Sequence, residues 1–161
     1  MSHYQLASVS LFFSTLLSGF FAGIGFFTAM GLNPAMRLMT DRNFIEFWQH
    51  IDHYMAARMI LFGPLLLLSI VISIISLIKD LKSPSFWFLV AAFVLLIGDL
   101  VFATINNFPL NKLIQSLDLN NLPSDVNDIK LKVVHAFDTR VIFMMSSFVM
   151  VLISVWFRNW K

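Results

Sequence analysis

The chain contains no cysteine. That absence excludes disulfide frameworks, CxxC redox chemistry, thiolate metal sites and cysteine nucleophiles, and with them thiol-based quinone reductases of similar size. Charge is scarce as well. Asp, Glu, Lys and Arg make up 12% of the 161 residues against 58% hydrophobic ones, at a mean hydropathy of +0.81, whereas a soluble domain carries about 25% charged residues. No charged residue of these four types precedes Arg37. The first hydrophobic run therefore lacks the basic flank of a secretory signal peptide and is expected to remain as a helix. The net charge of +2 is small and dispersed, which argues against a nucleic-acid partner.

What is present is long apolar runs: Leu6 to Met30, Met59 to Ile78, Phe86 to Ile105 and Val141 to Phe157. A helix needs about 17–25 such residues to cross the hydrocarbon, and only a helix satisfies its own backbone there within one segment. The reading is an all-α integral membrane four-helix bundle. It forms one domain over residues 1–161, with spans at about 6–30, 57–78, 86–106 and 134–157 and amphipathic connections after the first and third helices. Four crossings put both termini on one side with the tight Lys79–Ser85 connection. Lys79, Lys82, Arg158 and Lys161 lie there, against Arg37, Arg42, Lys112, Lys130 and Lys132 opposite. Short basic connections weigh most in orientation, so the termini are expected in the cytoplasm, with the bundle in a bacterial inner membrane.

Phe44, Phe47, Trp48 and Ile51 recur at i, i+3, i+4 and i+7 behind Asp41, which predicts an interfacial helix capped by Asp41 with its rings at headgroup depth. After the third span, a sharp turn over Asn106 to Asn111 is expected because Pro109 cannot continue the helical ladder. A helix should restart near Ser124. Both halves follow one order: a span, an Asn-and-Pro turn (Asn33-Pro34; Asn107-Phe108-Pro109), then a His-and-Arg cluster entering the next span. This is a faint internal repeat, although interfacial loops in general collect Asn, Pro and basic residues.

Asp99 is the single formal charge within the apolar runs, about seven residues, or about 10 Å, below the outer end of its helix. Arg140 lies about equally deep in the last helix, so a buried pair is the economical arrangement, either the floor of a polar cavity or interhelical glue. Above Asp99, Thr104, Asn106 and Asn107 form a polar stripe that ends at Pro109. His50 and His53 are one turn apart, as are His135 and Asp138, and all four fall at one membrane face. Two such pairs have the spacing with which bundle helices hold a metal ion. Without metal, His135 or His50 is the candidate general base, since imidazole titrates nearest neutrality. Gly19 and Gly23 form a small-x-x-x-small pair suited to close helix packing. Ser69, Ser73 and Ser76 can bond their own backbone, so they make a poor case for a transport path.

Asn33-Pro34 after the first span, Phe44 to Trp48 leading into Ile51-Asp52-His53-Tyr54-Met55, Thr104 to Asn111 with its Asn107-x-Pro109-Leu110-Asn111 turn, and Arg140 together resemble the anthrone-oxygenase-like family. Many bacterial members of that family are described only as a domain of unknown function. The resemblance implies an oxidoreductase that converts flat tricyclic phenolic ketones to quinones with dioxygen and no cofactor. It makes His135 or His50 the base, with Asn107, Asn111 and Arg140 as hydrogen-bond donors to the enolate; Asp99 and Thr104, taken from the polar stripe above, are further substrate-binding candidates. The alternative from a different class is a noncatalytic membrane protein that binds a lipid, a quinone or a partner helix.

Overall fold

The computed structural model describes residues His3–Asn159; Lys161, counted in the charge balance above, lies outside the described residues. The chain's regular structure there is helical throughout, with no strand among the described residues. Helix α1 (His3–Phe27) runs through a π-helical segment (Thr28–Leu32) into α2 (Asn33–Leu38); α3 spans Asp41–Leu77; α4 (Pro84–Phe102) runs through a second π segment (Ala103–Asn107) into α5 (Phe108–Gln115); and α6 spans Val126–Asn159. Four helical stretches are long and apolar enough to cross a membrane. They form a membrane-type four-helix bundle.

Neither Pro34 nor Pro109 ends its helix. The sharp turn expected over Asn106 to Asn111 is absent: the Phe108 amide bonds the Ala103 carbonyl five residues back, and Pro109 follows in the first turn of α5. The same wide turn lets Asn33 bond Thr28 ahead of Pro34. Proline is excluded from a helix interior by its missing N–H and by its clash with the carbonyl four residues earlier. A π turn widens the ladder at that point, and the chain stays helical.

α4 and α6 pack as an antiparallel pair with a heptad seam. Ser85, Leu89, Ala92, Leu96, Asp99 and Ala103 are all buried, in alternating steps of four and three, and so are Val133, Ala136, Met144, Ser147, Val151 and Ser154 opposite. At seven-residue intervals the seam carries a polar cross-link: Ser85 Oγ to Ser154 Oγ at 2.9 Å, Ser147 Oγ to the Ala92 carbonyl at 3.1 Å, and Arg140 to Asp99. Between helices in lipid there is little hydrophobic drive, so close packing and such bonds hold the pair. The helices come close at Gly98, where a Cβ would lie 3.0 Å from the Phe143 ring, and at Gly25 of α1, where it would lie 3.2 Å from Met144 Sδ. Of the Gly19 and Gly23 pair, a Cβ on Gly19 would meet the Phe148 ring of α6 at 3.4 Å, ordinary contact, and one on Gly23 would meet nothing within 4 Å. Between α1 and α3, Ser14 Oγ lies 2.9 Å from Ser73 Oγ and donates to Ser69 Oγ at 3.4 Å.

α3 has 37 residues and α6 has 34. At 1.5 Å per residue they are about 50–55 Å long, well beyond the about 30 Å of hydrocarbon. Their extensions, with α2 and α5, enclose a second hydrophobic core of Met36, Phe44, Ile45, Trp48, Ile114 and Val133, among others, separate from the spanning core around Leu11, Leu66, Leu89 and Val151. This corrects the interfacial-helix reading in two respects. The segment from Asp41 is the first part of α3 itself, capped by the Thr40 hydroxyl on the Asn43 amide instead of by Asp41. Phe44 and Trp48 are 0% and 3% exposed, so they fill a protein core where lipid headgroups had been expected, because α2, α5 and α6 cover the same apolar stripe. Lys130, itself buried, ties this cap together by bonding the Met39 carbonyl at 3.0 Å and Asp41 at 3.2 Å.

Phe44→Ala is expected to cost about 3–5 kcal/mol, confined to the cap. Amide exchange should rise across α2, α5 and the start of α6 while the spans stay protected; a uniform rise over all helices would mean a single core.

Candidate functional site

Two polar clasps and one buried ion pair organise the face opposite the termini. In α2, Asn33 Nδ2 and Arg37 Nη2, one turn apart, both donate to Asp138 of α6, Arg37 at 3.2 Å. In α5, Asn111 Nδ2 and Gln115 Nε2, also one turn apart, both donate to Asp52 of α3, Gln115 at 3.3 Å. Each connection thus grips the long helix of the opposite half, an exchange that echoes the repeat in the sequence. Asn111 also accepts from Trp48 Nε1 at 3.2 Å, and Gln49 Nε2 bonds the Ile114 and Leu117 carbonyls at 2.9 and 3.0 Å. The uncharged run of α3 begins at Met59, about two turns beyond Asp52, which places this clasp outside the membrane. Burial pushes the Asp52 carboxyl up from its ordinary range, opposed by the Gln115 bond and by the charge of His53.

Asp99 and Arg140 meet as their equal depth in the sequence led one to expect. Arg140 Nε donates to Oδ1 at 2.8 Å and Nη2 to Oδ2 at 2.9 Å, a fork that matches both carboxylate oxygens. Asp99 is 4% exposed. The guanidinium lies 5.4 Å from the centre of the Phe137 ring, which meets Trp48 edge-on at 5.3 Å. A continuous path of contacts therefore runs from the ion pair inside the bundle, through Phe137, Trp48 and Asn111, to Asp52 in the cap.

The other candidates scatter. Thr104 is exposed and donates to its own helix at Leu100, 2.7 Å away, so it does not stand beside Asp99. Asn107 is 2% exposed, and its Oδ1 is buried with no donor. Asn111 is committed to Trp48 and Asp52. His50 lies in an open depression of about 390 Å³ on the outer face of α3 with Asn43, Glu46 and Phe47. His53 is exposed with its ring edge-on to Tyr54. His135 lines a different groove, and Asp138 is held by Asn33 and Arg37. The four-residue metal arrangement of His50, His53, His135 and Asp138 is thus not formed: among the described residues no three His, Asp or Glu side chains gather at one point. Equal height along the membrane normal did not bring them together, because they face different directions around the bundle.

The His135 groove has a volume of about 410 Å³, within the about 300–1,000 Å³ of small-molecule sites. One wall is Phe102, Ile105, Asn106 and Leu110, from the end of α4, the second π segment and α5; the other is Lys132, His135, Ala136 and Thr139 of α6. His135 lies five residues, or about 7.5 Å, on the outer side of Arg140, which is about 10 Å deep beside Asp99. The groove therefore sits near the outer membrane boundary, with Phe102 and Thr139 at its deeper end and Leu110 and Lys132 at its outer end. Lys132 enters the sequence reading only as a basic residue of this face and Thr139 carries no motif, although positions 132, 135, 136 and 139 follow the i, i+3, i+4, i+7 rule for one helix face. Compared with family models, with curated proteins and with solved structures, the chain matched none.

Proposed function

We propose that the protein is a membrane-embedded oxygenase acting on a flat apolar phenolic or quinone-type molecule, bound in the His135 groove, with dioxygen as the second substrate. The observation that carries this reading is an exposed imidazole set opposite apolar side chains in a groove at the lipid boundary, where an apolar molecule can enter from the bilayer. His135 removes a proton from the activated methylene of the bound ketone, and the imidazolium remains beside the carbanion as its counter-charge. Asn106, whose amide spends one N–H on the Phe102 carbonyl at 3.0 Å, has a second N–H for the enolate oxygen. The carbanion adds to dioxygen, the imidazolium returns the proton to give a hydroperoxide, and loss of water leaves a ketone. Methylene and dioxygen thus become carbonyl and water. No cofactor enters this balance. Asn111 and Arg140, donors to the enolate in the family resemblance, act in this scheme by supporting the cap and the bundle. His50, beside Glu46 in another depression, takes no part.

Orientation and compartment belong to the same proposal. Lys79, Lys82 and Arg158 at the tight end favour cytoplasmic termini in a bacterial inner membrane, which puts the groove on the opposite face. Oxygen consumption by the purified protein on addition of an anthrone tests the reaction: uptake of one dioxygen per ketone oxidised, above the rate of protein-free membranes, is expected, and no excess over those membranes rejects it.

A second reading, a noncatalytic binder of a lipid or quinone, is favoured by the commitment of these polar groups to structural bonds: Asp52 to Asn111, Asp99 to Arg140, and Asp138 to Asn33 and Arg37. Under that reading a small apolar molecule co-purifies and dioxygen is not consumed.

A further inference from the structure

We infer that the His135 groove selects flat aromatic molecules that carry an acid group, with the acid at Lys132 and the rings against Phe102 and Ile105. This rests on the groove being the binding site, and not on the oxygenase chemistry. Lys132 and His135 are one turn apart on α6, and Lys132 is the one nearer to water, three residues further from the apolar run. The groove lining contains no carboxylate. Asp128, one turn before Lys132 on α6, lies outside the groove lining and forms no ion pair with it among the described residues; the other acids of this face have their own partners, Asp41 with Lys130, Asp138 with Arg37 and Asp99 with Arg140, while Asp52 is held by Asn111 and Gln115. The Lys132 ammonium is therefore a positive charge at the mouth of a groove with nothing of opposite sign in its walls. The His50 depression is the reverse case, because Glu46 lies in its lining beside the imidazole and opposes an anion. A ring system on the apolar wall and a negative group at the water side fit the His135 groove alone of the two, and the distance between them orients the molecule, acid outward and rings toward the bilayer.

The test compares anthracene-9-carboxylate with 9-anthracenemethanol, nearly equal in shape, by fluorescence polarisation on the full chain in phosphatidylcholine nanodiscs, with partition into protein-free nanodiscs subtracted. About a fivefold preference for the acid is expected, the effect of one basic residue near a membrane surface. Lys132→Gln should abolish the preference, and Lys112→Gln, a basic residue of the same face outside the groove, should leave it unchanged. Equal affinities in the wild type, or a preference that survives Lys132→Gln, overturns the inference. So does displacement of the acid by phosphatidylglycerol, which assigns the cation to a lipid headgroup. Binding of neither compound removes the groove as a site. An acid preference without dioxygen uptake upholds this inference and rejects the oxygenase reading.

Discussion

Asp99→Ala is expected to lower the stability of the bundle by about 3–5 kcal/mol, and Arg140→Ala by a similar amount. The reason is the position of the pair. Asp99 and Arg140 side chains are 5% and 16% exposed, so removing one leaves the other ionised group desolvated with nothing to neutralise it, whereas surface pairs contribute about 0–1 kcal/mol. The cost falls on the α4–α6 seam, where this pair is one of three polar cross-links and Gly98 draws the helices close. A double substitution, Asp99→Leu with Arg140→Met, removes both charges and should recover most of the loss, because an apolar pair of similar size in such a place is often neutral or better. Unfolding by titration with a denaturing detergent, read by helix content, measures all three variants. A loss below about 1 kcal/mol for both single variants would show that water reaches the pair.

His135→Ala should reduce the rate of anthrone oxidation by about 10²–10⁴, the usual contribution of a positioned base, without loss of fold, since the side chain is exposed. His50→Ala should leave the rate unchanged. The contrast is informative because the sequence treats the two residues alike: each opens a His-containing cluster at the same membrane face. Only their direction differs, His50 toward Asn43 and Glu46, His135 toward Phe102 and Asn106. Equal losses in both variants would show that the two grooves work as one site, and no loss in either would remove imidazole from the mechanism.

The spans and the Asp99–Arg140 pair were legible in the sequence because each follows from a one-dimensional quantity. Hydropathy over about 20 residues marks a crossing, and counting residues from the helix ends gives depth. Features that depend on direction around a helix were not. An apolar stripe such as Phe44, Phe47, Trp48 and Ile51 has the same spacing whether it lies on lipid or on protein, and here α2, α5 and α6 decide the matter by covering it. Pro34 and Pro109 predicted breaks, yet the wide turns before them carry the helices onward, and nothing in Thr28–Leu32 or Ala103–Asn107 announces a π turn. Asn111 looked free to meet a ligand, and its partners Trp48 and Asp52 lie 63 and 59 residues away in the chain. The repeat, faint in the sequence, has physical content in the two clasps, where an i, i+4 pair of donors on each short helix holds one carboxylate of the other half.

Photolabelling with an anthracene-based diazirine tests directly whether a flat apolar molecule occupies the His135 groove. Irradiation of the protein in nanodiscs, followed by peptide mapping, should place the label on Phe102, Ile105, Leu110 and Ala136, and excess anthrone should suppress it. Label spread over the lipid-facing side of α3, around Ile60 and Leu61, and indifferent to anthrone, would contradict the account.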